Sequence, residues 1–256
     1  MSGRVVPRSG QVLRARLALQ IGLAGLIVFG DFQRIAPDLW QRNPAPPAAV
    51  PVRPGDQTRR YSPHDLPDDQ PAGPEFPRSD DVPQRLRFTE TRIGDAAAVL
   101  IEGSIEPGDG RRFAEYLAGR QSAPQIIALH SPGGSVADAL EIGRMIRDAG
   151  WPVTLQPGAA CFSACPYILA AGTERQVSRR AKVGVHQHYF GENTLLPAFV
   201  AVESIQRGQG EVMDYLDEMG IDLRMMPLAL QTRPDSIYIL VEAELTAFGM
   251  ATQMVD

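Results

Sequence analysis

The sequence predicts one α/β domain with a mostly parallel sheet, and two observations lead to that prediction. First, residues 84–256 alternate short apolar runs, typical of buried strands, with longer runs that carry a helical period. Strands that alternate with helices need crossover connections, which place successive strands parallel. Second, these residues hold most of the Val, Ile, Leu and Met of the chain, and a stretch of about 170 residues can bury a single core.

The predicted elements follow one another closely from residue 86 to residue 248. Two strands come first, and a helix that ends on glycine follows them. An apolar strand then leads through a Pro-Gly-Gly turn into a second helix, and the alternation continues to the end of the chain. The predicted strands are 86–91, 97–105, 125–129, 152–155 and 183–187, and the predicted helices are 109–119, 136–149, 163–171, 199–219 and 242–248.

Composition excludes several classes of protein. A hydrophobic content of 44% with 21% charged residues is that of a globular chain, neither wholly disordered nor multispanning. A net charge of -5 lacks the basic surface expected of a nucleic-acid binder. No phosphate-loop, H-E-x-x-H or paired C-x-x-C pattern occurs, so we predict no metal or other cofactor.

The N-terminus has the pattern of an export signal, and we assign residues 1–35 to it. Four arginines without an acidic neighbour precede residues 17–30, an apolar run broken only by Gln20. A missing A-x-A cleavage site before Asp31 favours an uncleaved signal anchor over a cleaved signal peptide. We therefore expect a single-pass inner-membrane protein with its domain in the periplasm, or an exported one if cleavage occurs. An amphipathic helix packed on the domain is the alternative.

Residues 36–83 are predicted to form a disordered linker. Twelve of the 22 prolines fall in this segment, among polar residues and without a hydrophobic period. Such a composition favours an extended, partly polyproline chain that holds the domain away from the membrane. The domain itself is assigned to residues 84–256.

A glycine-rich turn at residues 131–135 follows the apolar strand 125–129 and opens the next helix. Glycine amides can approach a ligand closely, and the start of a helix adds the positive end of its dipole. The turn can therefore supply half of an oxyanion hole, the N–H donors that stabilise a negatively charged oxygen. The same pattern also suits an ordinary strand-to-helix turn, and the segment alone does not decide between them.

Ser163 is the candidate nucleophile. Small residues crowd before it and a predicted helix follows, so its hydroxyl can face an open cleft while the Ala164 amide points to the same place. Ser163 as an ordinary helix N-cap is the alternative. A nucleophilic serine needs a base, and His186 and His188 lie two apart at an apolar strand, on one face. The alternative for these histidines is one satisfied buried residue and one exposed residue.

Three segments in this order, residues 128–135, 160–172 and 181–187, resemble the Clp-type proteolytic subunits of the ClpP/crotonase superfamily. The likeness extends over roughly residues 97–250 and is greater for exported, membrane-anchored bacterial relatives. It implies repeated ββα units around the mostly parallel sheet. It also implies Ser163 as nucleophile and His186 as general base, with Gly133 or Gly134 and the Ala164 amide as the oxyanion hole.

The resemblance leaves several site residues open. It implies an aspartate as third triad member, for which Asp235 is the nearest match and Asp222 a weaker one. A peptidase of the same superfamily uses a Ser-Lys pair, and Lys182, the one lysine of the chain, is the only candidate for it. Cys161 and Cys165 flank the serine and can form a disulfide in an oxidising compartment or remain free thiols.

The function implied is that of a membrane-tethered serine peptidase acting on peptides or unfolded proteins in the periplasm. A catalytically inactive module for peptide binding or assembly is the alternative, because Phe162 stands where the family has a small residue. Acyl-CoA chemistry is disfavoured, since Ser163 and His186 match the peptidase positions. The family forms rings, so residues 199–219 are a candidate surface for a homo-oligomer.

Overall fold

The computed structural model describes residues 13–14, 16–27, 29, 57–62, 82–188 and 198–256. The chain divides into two compact units, Met1–Pro44 and Ala45–Asp256. In the first unit residues 16–27 are helical. Over the described ranges, no helix has both the length and the apolar character needed to cross a membrane. Residues 1–12, 15, 28 and 30–35 of the predicted export signal lie outside those ranges.

The larger of two sheets has six strands and is mostly parallel, as predicted. Parallel pairing joins all neighbours in this sheet except its first two strands in chain order, which form an antiparallel pair. Its strands are β2 (Arg87–Ile93), β3 (Ala96–Glu102), β4 (Ile126–His130), β5 (Val153–Leu155), β7 (Arg175–Ser178) and β10 (Gln253–Val255), in the order β10-β7-β5-β4-β3-β2.

A second sheet of four strands was not predicted. It contains β1 (Thr58–Arg60), β6 (Ala160–Phe162), β8 (Lys182–Val185) and β9 (Ser236–Ile239), in the order β1-β9-β8-β6. The pair β6 and β8 is parallel, whereas the other two pairs are antiparallel. A bridge between Ser131 and Cys161 connects this sheet to the end of β4.

Six α-helices connect the strands of the described domain, and a 3₁₀ turn at Leu223–Met225 precedes the fifth. They are α1 (Asp109–Ala118), α2 (Val136–Asp148), α3 (Cys165–Ala170), α4 (Ala198–Glu218), α5 (Met226–Gln231) and α6 (Glu242–Ala247). Asp138 joins the first turns of two helices, because its Oδ1 accepts from the N–H groups of Gly108 (2.9 Å) and Gly110 (3.0 Å). The glycine-rich turn is thereby anchored at its C-terminal end.

The core explains the apolar runs of the sequence. Every residue of β4 is buried, and side chains on its two faces belong to separate clusters. Ile127 and Leu129 contribute to the main core with the helices, whereas Ala128 packs with Leu100 on the other face. A strand buried on both faces needs continuous rather than alternating apolar residues, which is the pattern at residues 125–129.

Part of the predicted linker belongs to the domain. Residues 57–62 carry β1, which pairs antiparallel with β9 through Thr58 and Tyr238, Arg59 and Ile237, and Arg60 and Ser236. The prediction of a disordered linker is therefore wrong for these six residues, and the domain includes a strand from before residue 84. The remaining residues of the predicted linker, 36–56 and 63–81, lie outside the described ranges.

Candidate active site

Ser163 lies in a tight turn between β6 and α3. It has a φ of 60°, the only positive φ among the described residues other than glycine. This left-handed conformation disfavours residues with a Cβ, so surrounding contacts must hold it. The N–H of Ser163 donates to the Gly184 carbonyl at 3.0 Å, and the N–H of Phe162 donates to the Ser131 carbonyl at 3.0 Å. The predicted helix 163–171 therefore begins only at Cys165.

The glycine-rich turn packs directly on this serine. A Cβ on Gly133 would lie 2.6 Å from the Ser163 Cβ and 2.8 Å from the Ala164 nitrogen, and a Cβ on Gly134 would lie 2.1 Å from the Ile105 oxygen. Both glycines also have positive φ, 97° and 139°. Only glycine satisfies the space and the backbone conformation at these two positions.

The structure distinguishes the two glycine amides that the sequence left equivalent. The Gly133 N–H donates to the Ser131 Oγ at 3.0 Å and is thus used inside the turn. Within the part of the chain that the structure describes, the N–H groups of Gly134 and Ala164 have no hydrogen-bond acceptor. These two amides are therefore the candidate donors to an oxyanion.

His186 is hydrogen-bonded to the nucleophile. Its Nε2 lies 2.7 Å from the Ser163 Oγ, and its Nδ1 lies 3.1 Å from the Pro234 carbonyl oxygen. A carbonyl only accepts, so the geometry requires the proton on Nδ1 and leaves the Nε2 lone pair to accept from the hydroxyl. This is the tautomer that a general base for Ser163 needs.

Burial keeps His186 neutral. The residue is 6% exposed, and loss of hydration lowers its pKa from the ordinary value of 6.5, an effect that hydrogen bonds to nearby backbone groups partly oppose. Desolvation disfavours the imidazolium, so the imidazole is uncharged near neutral pH and able to take a proton from Ser163.

The structure does not bring Asp235 to His186. Its carboxylate pairs instead with Arg233 at 3.0 Å, in an exposed ion pair on the loop before β9. The Pro234 carbonyl, from the preceding residue, occupies the position beside Nδ1 that the resemblance assigned to a carboxylate. The weaker candidate Asp222 caps the 3₁₀ turn and pairs with Arg224. Sequence reasoning could not identify this carbonyl, because every residue has one and its residue type does not set it apart.

Lys182 and His188 are the remaining candidate residues from the sequence. Lys182 is buried at the start of β8, paired with Ala160, whereas the Ser163 hydroxyl is hydrogen-bonded to His186. His188 lies beyond the end of β8, which stops at Val185, and its Nε2 is 2.5 Å from the Tyr167 hydroxyl. Burial, with a smaller contribution from repulsion between the two imidazoles when both are protonated, lowers the pKa of His188 to about 4.

Cys161 and Cys165 form a disulfide that encloses the nucleophile turn. Both cysteines are fully buried, one on β6 and the other at the start of α3. The bond joins the strand to the helix on either side of Ser163. It thereby limits the motion of the turn that gives Ser163 its positive φ.

Tyr61 is a site residue that sequence reasoning missed. Its ring meets the His186 ring edge-on with centroids 5.0 Å apart, and meets Phe162 in the same way at 6.0 Å. Its hydroxyl donates to the Pro132 carbonyl in the glycine-rich turn. The only signal in the sequence is a proline-free run at residues 55–62, within a segment otherwise dense in proline.

The arrangement is suited to acyl transfer by a serine nucleophile. A hydroxyl, a neutral base and two amides without an acceptor among the described residues are the groups that acyl transfer by a serine nucleophile requires. Among the described residues, no group of three or more His, Cys, Asp or Glu side chains is placed to hold a metal ion.

Comparison with solved structures supports the fold. A point mutant of ClpP1 from Listeria monocytogenes matches with a TM-score of 0.50 and 18% sequence identity, over 62% of this chain and 91% of that chain. At this identity the likeness shows a ClpP-like fold, which confirms that part of the prediction. No protein-family model and no curated protein matches the chain.

We predict that loss of the disulfide destabilises the domain. Replacing Cys161 or Cys165 by alanine removes a cross-link that closes a loop of four-residue separation, which the chain-entropy relation values at about 2 kcal/mol. The free energy of unfolding, measured in denaturant, should fall by about that amount in either single variant.

The double variant Cys161→Ala/Cys165→Ala is the matched control for this prediction. Once the bond is broken, the second substitution should cost little, so the two losses should be strongly non-additive. Two losses that simply add would contradict a disulfide between these residues.

Proposed function

We propose that this protein is a serine peptidase that hydrolyses peptide bonds with Ser163 as nucleophile and His186 as general base. The observation that carries the proposal is the 2.7 Å hydrogen bond between the Ser163 hydroxyl and the His186 Nε2, formed at a turn with positive φ. Strained backbone at a serine nucleophile is characteristic of active sites, where it presents the reactive oxygen to substrate.

The proposed reaction has two steps. His186 takes the hydroxyl proton on Nε2 as the Ser163 oxygen attacks the peptide carbonyl, and the Ala164 and Gly134 amides donate to the developing oxyanion. The imidazolium then gives its proton to the leaving amine, which leaves an acyl-enzyme. Water, activated by the same imidazole, hydrolyses the ester and regenerates the hydroxyl.

The Pro234 carbonyl replaces the carboxylate of a Ser-His-Asp triad in this proposal. It holds the Nδ1 proton and thus the tautomer, which is the orienting part of the carboxylate's role. It carries a dipole rather than a full charge, so it stabilises the imidazolium less. In the proposed peptidase the protonated His186 is therefore stabilised less than the histidine of a complete triad.

A catalytically inactive module for peptide binding or assembly is the second candidate. The neutral acceptor beside His186 favours it, as does the bulk of Phe162 next to the serine. Such a module keeps the ClpP-like core but does not acylate Ser163. Reaction of Ser163 with an acylating or phosphonylating probe distinguishes the two candidates.

We propose that the domain works outside the cytoplasm, tethered to the inner membrane by residues 1–35. The basic and apolar pattern of that segment supports an anchor, and the Cys161–Cys165 disulfide supports an oxidising compartment. The substrates proposed are peptides or unfolded proteins, and a homo-oligomer through α4 is proposed from the likeness of the fold to a ClpP subunit.

The nucleophile assignment predicts selective labelling. A fluorophosphonate probe should phosphonylate Ser163 in the wild type, and Ser163→Ala and His186→Ala should each abolish labelling, as read by peptide mass spectrometry. Asp235→Asn should label at a rate within about threefold of wild type, because its exposed ion pair contributes little.

Two outcomes would contradict this scheme. Labelling that persists in Ser163→Ala would show a different nucleophile. Loss of labelling in Lys182→Arg with retention in His186→Ala would replace the Ser-His pair by a Ser-Lys pair.

The pKa of His186 predicts how the rate of labelling depends on pH. The base must be neutral, and burial lowers its pKa below 6.5, so the rate should be at its plateau at pH 7. The rate should fall only as the pH drops through the lowered pKa. A midpoint at or above 6.5 would contradict a desolvated base.

The proposed anchor predicts retention in membranes. After alkaline-carbonate extraction the full-length chain should remain in the membrane pellet, whereas a variant that lacks residues 1–35 should be released. A full-length protein found in the soluble fraction would refute the tether.

A further inference from the structure

We infer that Tyr61, which lies outside the part of the chain first assigned to the domain, is a positioning residue for His186 and the oxyanion turn. The inference rests on the proposed function, because it assigns Tyr61 a role in that site. Three observations support it. The strand β1 is hydrogen-bonded to β9, the Tyr61 ring contacts the His186 ring, and the Nδ1 of His186 is bonded to a neutral carbonyl rather than to a carboxylate.

Residues on both sides fix β1 against the domain. The Gln57 side chain donates to the Tyr238 hydroxyl at 2.7 Å, and the Gln57 carbonyl accepts from the Ile239 N–H at 2.9 Å. At the other end the Tyr61 N–H donates to the Asp235 carbonyl at 3.0 Å. The backbone of Tyr61 is therefore held on the loop that also supplies the Pro234 carbonyl.

The Tyr61 side chain contacts three parts of the site at once. Its ring packs edge-on against His186 on one element and Phe162 on another, with centroids 5.0 Å and 6.0 Å away. Its hydroxyl donates to the Pro132 carbonyl, one residue before Gly133. A single side chain thus links the base, the strand before the nucleophile and the oxyanion turn.

His186 needs the contact with the Tyr61 ring because the hydrogen bond that orients its imidazole is weak. The Nδ1 hydrogen bond goes to a neutral carbonyl at 3.1 Å, which fixes the tautomer with less electrostatic force than a carboxylate. An edge-on aromatic ring beside the imidazole limits its rotation and excludes water from it. Tyr61 therefore supplies by packing part of the orientation that a triad carboxylate supplies by charge.

The other groups that face His186 do not provide this restraint. Ser163 is the reaction partner of His186. His188 interacts electrostatically with His186, but its Nε2 is hydrogen-bonded to the Tyr167 hydroxyl. Arg233 and Asp235 pair with each other at the exposed edge of the loop. Tyr61 itself stays protonated, because burial raises its pKa.

The test uses the full-length chain and two measurements, the fluorophosphonate labelling rate and the His186 pKa from an NMR titration. Tyr61→Ala should lower the labelling rate by about tenfold or more, since misplaced catalytic groups lose rate steeply. It should also raise the His186 pKa toward 6.5, because the ring no longer shields the imidazole from water.

Two further variants separate the parts of the role. Tyr61→Phe keeps the ring and loses the bond to Pro132, so it should leave the His186 pKa unchanged and lower the labelling rate severalfold. Thr58→Ala is the matched control, since the Thr58 side chain is exposed on the same strand, and it should change neither measurement.

The outcomes distinguish a failure of this inference from a failure of the proposed function. A wild type that does not react with the probe refutes the proposed peptidase, whereas the His186 pKa still tests the contact with Tyr61. A reactive wild type with Tyr61→Ala equal to Thr58→Ala in both measurements overturns the inference alone. If Tyr61→Ala does not fold, Tyr61→Phe decides, and a labelling rate equal to wild type overturns the inference.

Discussion

The geometry of the candidate site depends on how the two sheets are joined beside Ser163. The Ser131 N–H donates to the Ala160 carbonyl at 2.8 Å, and the Phe162 N–H donates back to the Ser131 carbonyl at 3.0 Å. These bonds bring the end of β4 against β6, so the glycine-rich turn lies on the serine. This junction places the positive-φ turn at Ser163 against Gly133, where a Cβ would lie 2.6 Å from the Ser163 Cβ.

The second determinant is the neutral acceptor beside His186. A buried imidazole bonded to the Pro234 carbonyl is uncharged, holds its proton on Nδ1 and presents Nε2 to Ser163. In a complete triad a carboxylate performs the same orientation and also stabilises the imidazolium. The proposed peptidase therefore relies more on packing around the base, and on the oxyanion donors, than a Ser-His-Asp enzyme does.

Sequence reasoning located the groups whose chemistry is in their side chains. Strands β2 to β5 and β8, and helices α1 to α4 and α6, were predictable because continuous apolar runs and a helical period have distinct patterns. The six-residue helix α5 was not predicted. Strands β1, β6, β7, β9 and β10 were not predicted, and each has only three or four residues, a length that rarely shows a period on its own. Ser163, His186 and the glycines were found from residue type and order.

What could not be predicted depends on backbone groups and distant packing. The Pro234 carbonyl is identical in kind to every other carbonyl, so the sequence pointed instead to the neighbouring Asp235. Tyr61 lies about 100 residues before Ser163, in a segment whose composition indicates a linker, and its strand forms only by pairing with β9. In both cases tertiary structure decided a role that local sequence could not indicate.

The most direct measurement of the central claim is the tautomer and charge of His186 at pH 7, read from the ¹⁵N NMR shifts of its two ring nitrogens. The geometry predicts a neutral ring with the proton on Nδ1 and a bare Nε2 that accepts from Ser163. In Ser163→Ala the ring should remain neutral, while the Nε2 shift changes. A proton on Nε2, or a charged imidazolium, would contradict a site in which this histidine is the base for Ser163.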